Sequence, residues 1–209
     1  MNVYMLNWRY VGITPDPWLR WPGYFIAYST VLPGIFETTE LLQSLGLFKN
    51  LRLRPRSSSS GWYFIFIAIG FFFLFAPMFW PQYFFPLIWG AFLFLLEPIL
   101  HARGGRSLMR DWERGEPRMF LLLLTSGLIC GLLWEFWNFW AESKWVYSVP
   151  YVGWLKVFEM PILGFGGFPP FAVELYVMTN FVALFRGGRS WLTTKDETGY
   201  KPSTAHQAA

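Results

Sequence analysis

The chain has 209 residues, of which 54% are hydrophobic and only 14% charged, with a net charge of +4. A soluble domain carries about 25% charged residues, so this chain lacks the charge to cover a water-facing surface and belongs in a bilayer. The positive balance does not imply nucleic acid, because the basic residues lie between apolar runs, where they set topology and meet headgroups.

Residues 1–20 hold Trp8, Pro15, Pro17 and Trp18 and read as an interfacial lead-in. They lack the basic start, apolar core and small-residue end of a secretory leader, so the first apolar run is expected to be retained as a span. That run, 21–45, is long enough to cross about 30 Å of hydrocarbon, yet it contains Pro33, Gly34, Glu37 and Glu40. A kink is expected at Pro33, and the two carboxylates share a helical face that should not meet lipid. The alternative is an amphipathic helix in the interface.

Lys49, Arg52, Arg54 and Arg56 follow, then four serines at 57–60, together a flexible basic loop. Residues 61–80, bracketed by Trp62 and Trp80, are the second span and 83–100 the third; a turn at Pro81 and Gln82 joins them as a hairpin. Residues 101–118 form a second basic loop with five Arg against three acids. The fourth span, 119–141, holds Ser126, Gly127, Cys130 and Gly131, small residues that let another helix come close. As the one cysteine, Cys130 excludes an internal disulfide. Residues 142–159 read as an interfacial connector, and 161–185 as the fifth span, with regular helix starting only near Pro169 because Gly164, Gly166, Gly167, Pro169 and Pro170 break its first half.

The predicted fold is all-α: a polytopic membrane bundle of five transmembrane helices within 21–185, or four if the first lies in the interface, followed by a polar cytoplasmic tail at 186–209. The loops at 49–56 and 103–118 carry four and five Lys or Arg, and the tail carries Arg186, Arg189, Lys195 and Lys201. The positive-inside rule therefore puts these segments in the cytoplasm and the N-terminus outside, with a bacterial inner membrane as the expected location. RGGRS occurs at 103–107 and again at 186–190, each time after an apolar hairpin, the pattern of a repeated hairpin unit.

Chemistry is sought at the carboxylates stranded in these runs: Glu37, Glu40, Glu97, Glu135 and Glu174, with Glu159 at an interface. An ionised group at mid-membrane costs about 2.5 to 3.5 kcal/mol, so it must find a partner or take up a proton, and the set is expected to gather inside the bundle. Glu135, Glu174 and Glu37 are the catalytic candidates, with Asn138 one turn from Glu135 as a donor to it. Trp134, Trp137, Trp140 and Phe171 would wall a lipophilic substrate such as an isoprenoid, carotenoid or lipid, their ring faces stabilising a cation formed by protonation. Arg103, Arg106, Arg186 and Arg189 in the RGGRS loops are candidates for a lipid phosphate or prenyl diphosphate.

Two other readings compete. Carboxylates at several depths suit a small proton or solute carrier, and carboxylates that each bond a neighbouring helix, a broken-helix amide, a Tyr or a Trp suit a non-catalytic membrane subunit. His101 lies i+4 from Glu97, but the other histidine, His206, sits in the tail, so no metal and no cofactor are expected. Neither a P-loop nor a GxSxG motif is present. The expected partners are membrane lipid, a lipophilic substrate and a further membrane protein. Whether the protein is a catalyst stays open at this level, and the motifs identify no family.

Overall fold

The computed structural model describes residues 7–56, 61–149 and 153–186; the serines at 57–60, Arg189, His206 and the rest of the tail lie outside the described residues. Strand β1 (Trp8–Val11) precedes helices α1 (Pro17–Ser29) and α2 (Val31–Ser44). Asp16 caps α1, accepting the Trp18 amide at 2.9 Å, with Pro17 supplying a first turn that needs no N–H. Helix α3 (Gly61–Phe79) is followed by one helical turn, Pro81–Phe84, and a 3₁₀ stretch, Phe85–Gly90, that leads into α4 (Ala91–Ala102). Helices α5 (Leu108–Arg114) and α6 (Arg118–Trp140) come next, then strands β2 (Lys144–Tyr147), β3 (Lys156–Val157) and β4 (Met160–Pro161). A second 3₁₀ stretch, Ile162–Gly167, opens α7 (Phe168–Leu184).

Four stretches are long and apolar enough to cross a membrane: Gly61–Phe79, Pro81–Ala102, Arg118–Trp140 and Ile162–Leu184. The first apolar run is not among them, so the count of five is not reached by length and composition. Its break falls at Thr30 and not at Pro33, leaving pieces of 13 and 14 residues. Pro33 sits in the first turn of α2, where the missing N–H has no partner to lose.

Two antiparallel hairpins make up most of the bundle. In the first, Tyr63 of α3 meets His101 of α4 and Phe73 meets Gly90. In the second, α6 and α7 approach closely at Gly127, where a Cβ would lie 2.5 Å from the Phe168 carbonyl oxygen and 2.8 Å from the Ala172 Cβ. The two second members, α4 and α7, run side by side in the same direction, with Trp89 against Phe171 at one end and Gly105 against Leu184 at the other. Each begins in a 3₁₀ stretch.

Helix α2 packs antiparallel on α6. Thr39 bonds Ser126 at 2.8 Å, Thr38 lies 3.4 Å from Cys130 Sγ, and Arg118 donates to the Leu47 and Gln43 carbonyls at 3.0 and 2.9 Å. Between β1 and Leu47 the chain thus passes from one end of the bundle to the other. Leu100, Met119, Leu123, Val173, Tyr176 and Val177 form the main core, and Ile35, Cys130 and Ala172 a second.

Two expectations are corrected here. Glu37 and Glu40 do not join the interior; they are exposed, because Ile35, Thr39 and Leu42 take the face of α2 that meets α6. The chain is also not wholly helical. Strand β1 pairs with β2, Trp8 opposite Tyr147 and Val11 opposite Lys144, and β3 pairs with β4.

Candidate functional site

The connector between α6 and α7 builds a polar cluster at the end of α6. Asn138, in the last turn of α6, holds β2 in place: its Nδ2 donates to the Trp145 carbonyl at 2.8 Å and its Oδ1 accepts the Trp145 amide at 2.9 Å. Trp145 and Tyr147, two residues apart on a strand, point to one face. Both reach Glu135, whose Oε1 accepts from Trp145 Nε1 at 3.0 Å and from the Tyr147 hydroxyl at 2.9 Å. Glu135 is 0% exposed, and its Oε2 has no hydrogen-bond partner among the described residues.

Trp145 and Tyr147 also line a cavity of about 690 Å³. It opens where the two 3₁₀ stretches meet the β1–β2 ladder, and Trp8, Phe85, Trp89, Phe168, Phe171 and Met160 supply most of its apolar wall. Both 3₁₀ stretches, Phe85–Gly90 and Ile162–Gly167, contribute residues to its wall. Gly164, Gly166 and Gly167 line it, and a Cβ at Gly166 would meet nothing within 4 Å. Burial, with the Glu135 carboxyl beside it, pushes the Tyr147 phenol far above its ordinary range, so the hydroxyl stays protonated and keeps donating. Tyr10, at the same cavity, is pushed up by burial and by its 3.0 Å hydrogen bond with Tyr28.

The other carboxylates go elsewhere. Glu174 Oε1 accepts the Phe92 amide at 2.8 Å, closing an N–H that the 3₁₀ start of α4 leaves free. Glu97 is 1% exposed and accepts Ser107 Oγ at 2.7 Å and the Met109 amide at 2.8 Å, at the opposite, basic end of the bundle. Glu159 pairs with Lys144 at 2.7 Å. The predicted gathering of carboxylates in one pocket is therefore corrected: Glu97, Glu135, Glu159 and Glu174 each end on their own donors, and Glu37 and Glu40 are exposed.

Several predicted contacts are also replaced. Asn138 binds the β2 backbone and not Glu135. Trp134 packs on Phe168, whereas Trp137 and Trp140, at 59% and 71% exposed, face outward and cannot wall the cavity. Phe171 does line it. His101 pairs with Tyr63 at 2.5 Å and with Glu113 at 2.9 Å, not with Glu97. Arg106 forms a two-pronged ion pair with Asp111, both bonds 2.7 Å, which removes it from the set of phosphate ligands; Arg103 and Arg186 are exposed at the same end. Among the described residues no cluster of three or more His, Cys, Asp or Glu is placed to hold a metal.

Trp8, Trp89, Trp145 and Tyr147 escape sequence reasoning as site residues. The available signal for the last two is their i, i+2 spacing in KWVY, a strand period in a chain read as helical. No known family model, curated protein or solved structure matches this chain.

Proposed function

We propose that the protein holds a lipophilic molecule, an isoprenoid, carotenoid or lipid, in the aromatic cavity at the end of the bundle opposite its basic loops. One observation carries the reading: the 690 Å³ space has the size of a ligand site, rings for walls and one polar end, where Tyr147 and Trp145 are oriented by Glu135. Neither Glu135 nor Glu174 lines the cavity. The Tyr147 hydroxyl, already donating to Glu135 and held protonated, offers the bound molecule its oxygen as a hydrogen-bond acceptor, a binding and not an acid or base role. The test is Gly166→Phe, which fills the space from a position with room for a side chain. Mass spectrometry of lipophiles carried by the purified protein should show a species enriched over bulk membrane in the wild type and lost in the variant, with thermal unfolding unchanged. Equal enrichment in both proteins rejects the cavity as the site.

The second reading, a membrane subunit, rests on Glu37 and Glu40. They are exposed on α2, flanking Thr38 and Thr39, which touch Cys130 and Ser126, at a depth where lipid is a costly neighbour for a carboxylate. A partner helix carrying Lys, Arg or hydrogen-bond donors would cover them. On either reading α1 and α2 together make a fifth crossing, and the excess of Lys and Arg at 49–56 and 103–118 puts that end in the cytoplasm of a bacterial inner membrane, with the N-terminus outside. Glu37→Leu with Glu40→Leu would abolish co-purification of such a partner; unchanged co-purification excludes it.

A further inference from the structure

A second cavity, of about 470 Å³, lies at the basic end of the bundle. Its apolar walls are Trp62 and Phe66 of α3, Leu93 and Phe94 of α4, Trp112 of α5 and Phe120 of α6. Residues 53–56 cross its mouth as a strap, fixed by the Leu53 amide on the Gly115 carbonyl and the Arg56 amide on the Glu113 carbonyl, both 2.9 Å. Gly115, at φ +74°, ends α5 in the left-handed region, and a Cβ there would collide with the Leu53 carbonyl. The strap's position is thus built into the loop.

Several basic groups at this end are already engaged. Arg106 is paired with Asp111 and Arg52 with Glu116, while Arg110 and Arg118 donate to backbone carbonyls. Arg54 and Arg56 differ: both are exposed, both border the cavity, and neither has a carboxylate partner among the described residues. Inside, Glu97 lines the same space with an Oε2 that is buried and unpartnered among the described residues. Two free guanidinium groups over an apolar hole with one buried oxygen acceptor describe an amphiphile with a negative head.

We infer that this cavity binds an anionic membrane phospholipid with a hydroxylated headgroup, its phosphate between Arg54 and Arg56, a headgroup hydroxyl on Glu97 Oε2 and the first methylenes of an acyl chain against Phe66 and Phe94. Charge complementarity selects the head, and the apolar wall selects a lipid over a free phosphate, which would leave the hole unfilled. The site is independent of the aromatic cavity, since the two share no lining residue.

The experiment uses the purified full chain titrated with phosphatidylglycerol or phosphatidylcholine, with binding read by native mass spectrometry. Phosphatidylglycerol should bind and phosphatidylcholine should not compete with it. Arg54→Gln with Arg56→Gln should weaken phosphatidylglycerol by about 30-fold, taking each basic group near the surface at its usual worth. Arg52→Gln with Arg103→Gln, basic residues of the same end outside the cavity, should leave it within about twofold. Leu93→Phe, which fills the hole with both charges intact, should lose binding as well. Equal affinity for the two lipids, an unchanged Arg54/Arg56 variant, or displacement by excess inorganic phosphate overturns the assignment; the last would make this a free-anion site.

Discussion

Glu174 caps a helix to which it does not belong: its carboxyl, on α7, accepts the Phe92 amide at the start of α4 across 2.8 Å. The two hairpins are thereby joined at the point where α4, the second helix of the first hairpin, begins regular winding. A 3₁₀ start leaves an amide without an intrahelical acceptor, and in a membrane no water replaces it.

Glu174→Leu should therefore cost about 1 to 3 kcal/mol, the penalty for a buried donor left unmade, whereas Glu174→Gln retains an oxygen acceptor and should cost less than about 1 kcal/mol. Unfolding in detergent separates the two. Equal losses would mean that the charge, and not the acceptor, is what α4 requires.

The Tyr147 phenol ionises less readily in the folded protein than in the unfolded chain, because burial and Glu135 both raise its pKa. Folded protein keeps that proton where unfolded chain gives it up, so the associated stability is complete below about pH 10 and declines as pH rises beyond it. Tyr147→Phe should flatten the alkaline decline by up to about 1.4 kcal/mol per pH unit, the value of one proton. Tyr10 adds a slope of the same sign that this variant leaves in place. Superimposable pH profiles for wild type and variant would refute the assignment.

Arg106 and Asp111 are 11% and 5% exposed, and Asp111→Asn removes one charge of a buried pair. The orphaned guanidinium should cost about 3 to 5 kcal/mol. Glu116→Gln breaks the Arg52 pair, which is 58% and 40% exposed, and should cost at most about 1 kcal/mol. A reversed order in thermal unfolding would show that α5 is not anchored by its ion pair.

Thr39 and Ser126 are both 0% exposed and share the 2.8 Å hydrogen bond that holds α2 to α6. A double-mutant cycle with Thr39→Val and Ser126→Ala should give a coupling of about 0.6 kcal/mol, the usual size for interhelical bonds in membranes. Zero coupling would leave α2 held by Ile35, the Cys130 contacts and the Arg118 bonds.

The apolar runs announced the long helices because eighteen or so greasy residues have few other uses, and the Gly and Pro of 164–170 announced that the last helix starts late. Phe85–Gly90 carries the weaker signals Pro86 and Gly90, and its 3₁₀ winding depends on packing against the second hairpin, which no local pattern records. The outward turn of Glu37 was legible in principle: Ile35, Thr39 and Leu42 recur at helical spacing and exclude Glu37 from the same face. The partners of Glu135 were not. They lie on a strand whose mate, β1, is more than 130 residues earlier in the chain, and a four-residue ladder leaves too short an alternation to detect.

Leu123, Val173 and Val177, each 0% exposed, pack in the main core of the bundle, and Ile35 and Ala172 in the second. None of these five residues lines either cavity, so a substitution that fills one cavity leaves this packing, and with it the hold of the helices on one another, undisturbed.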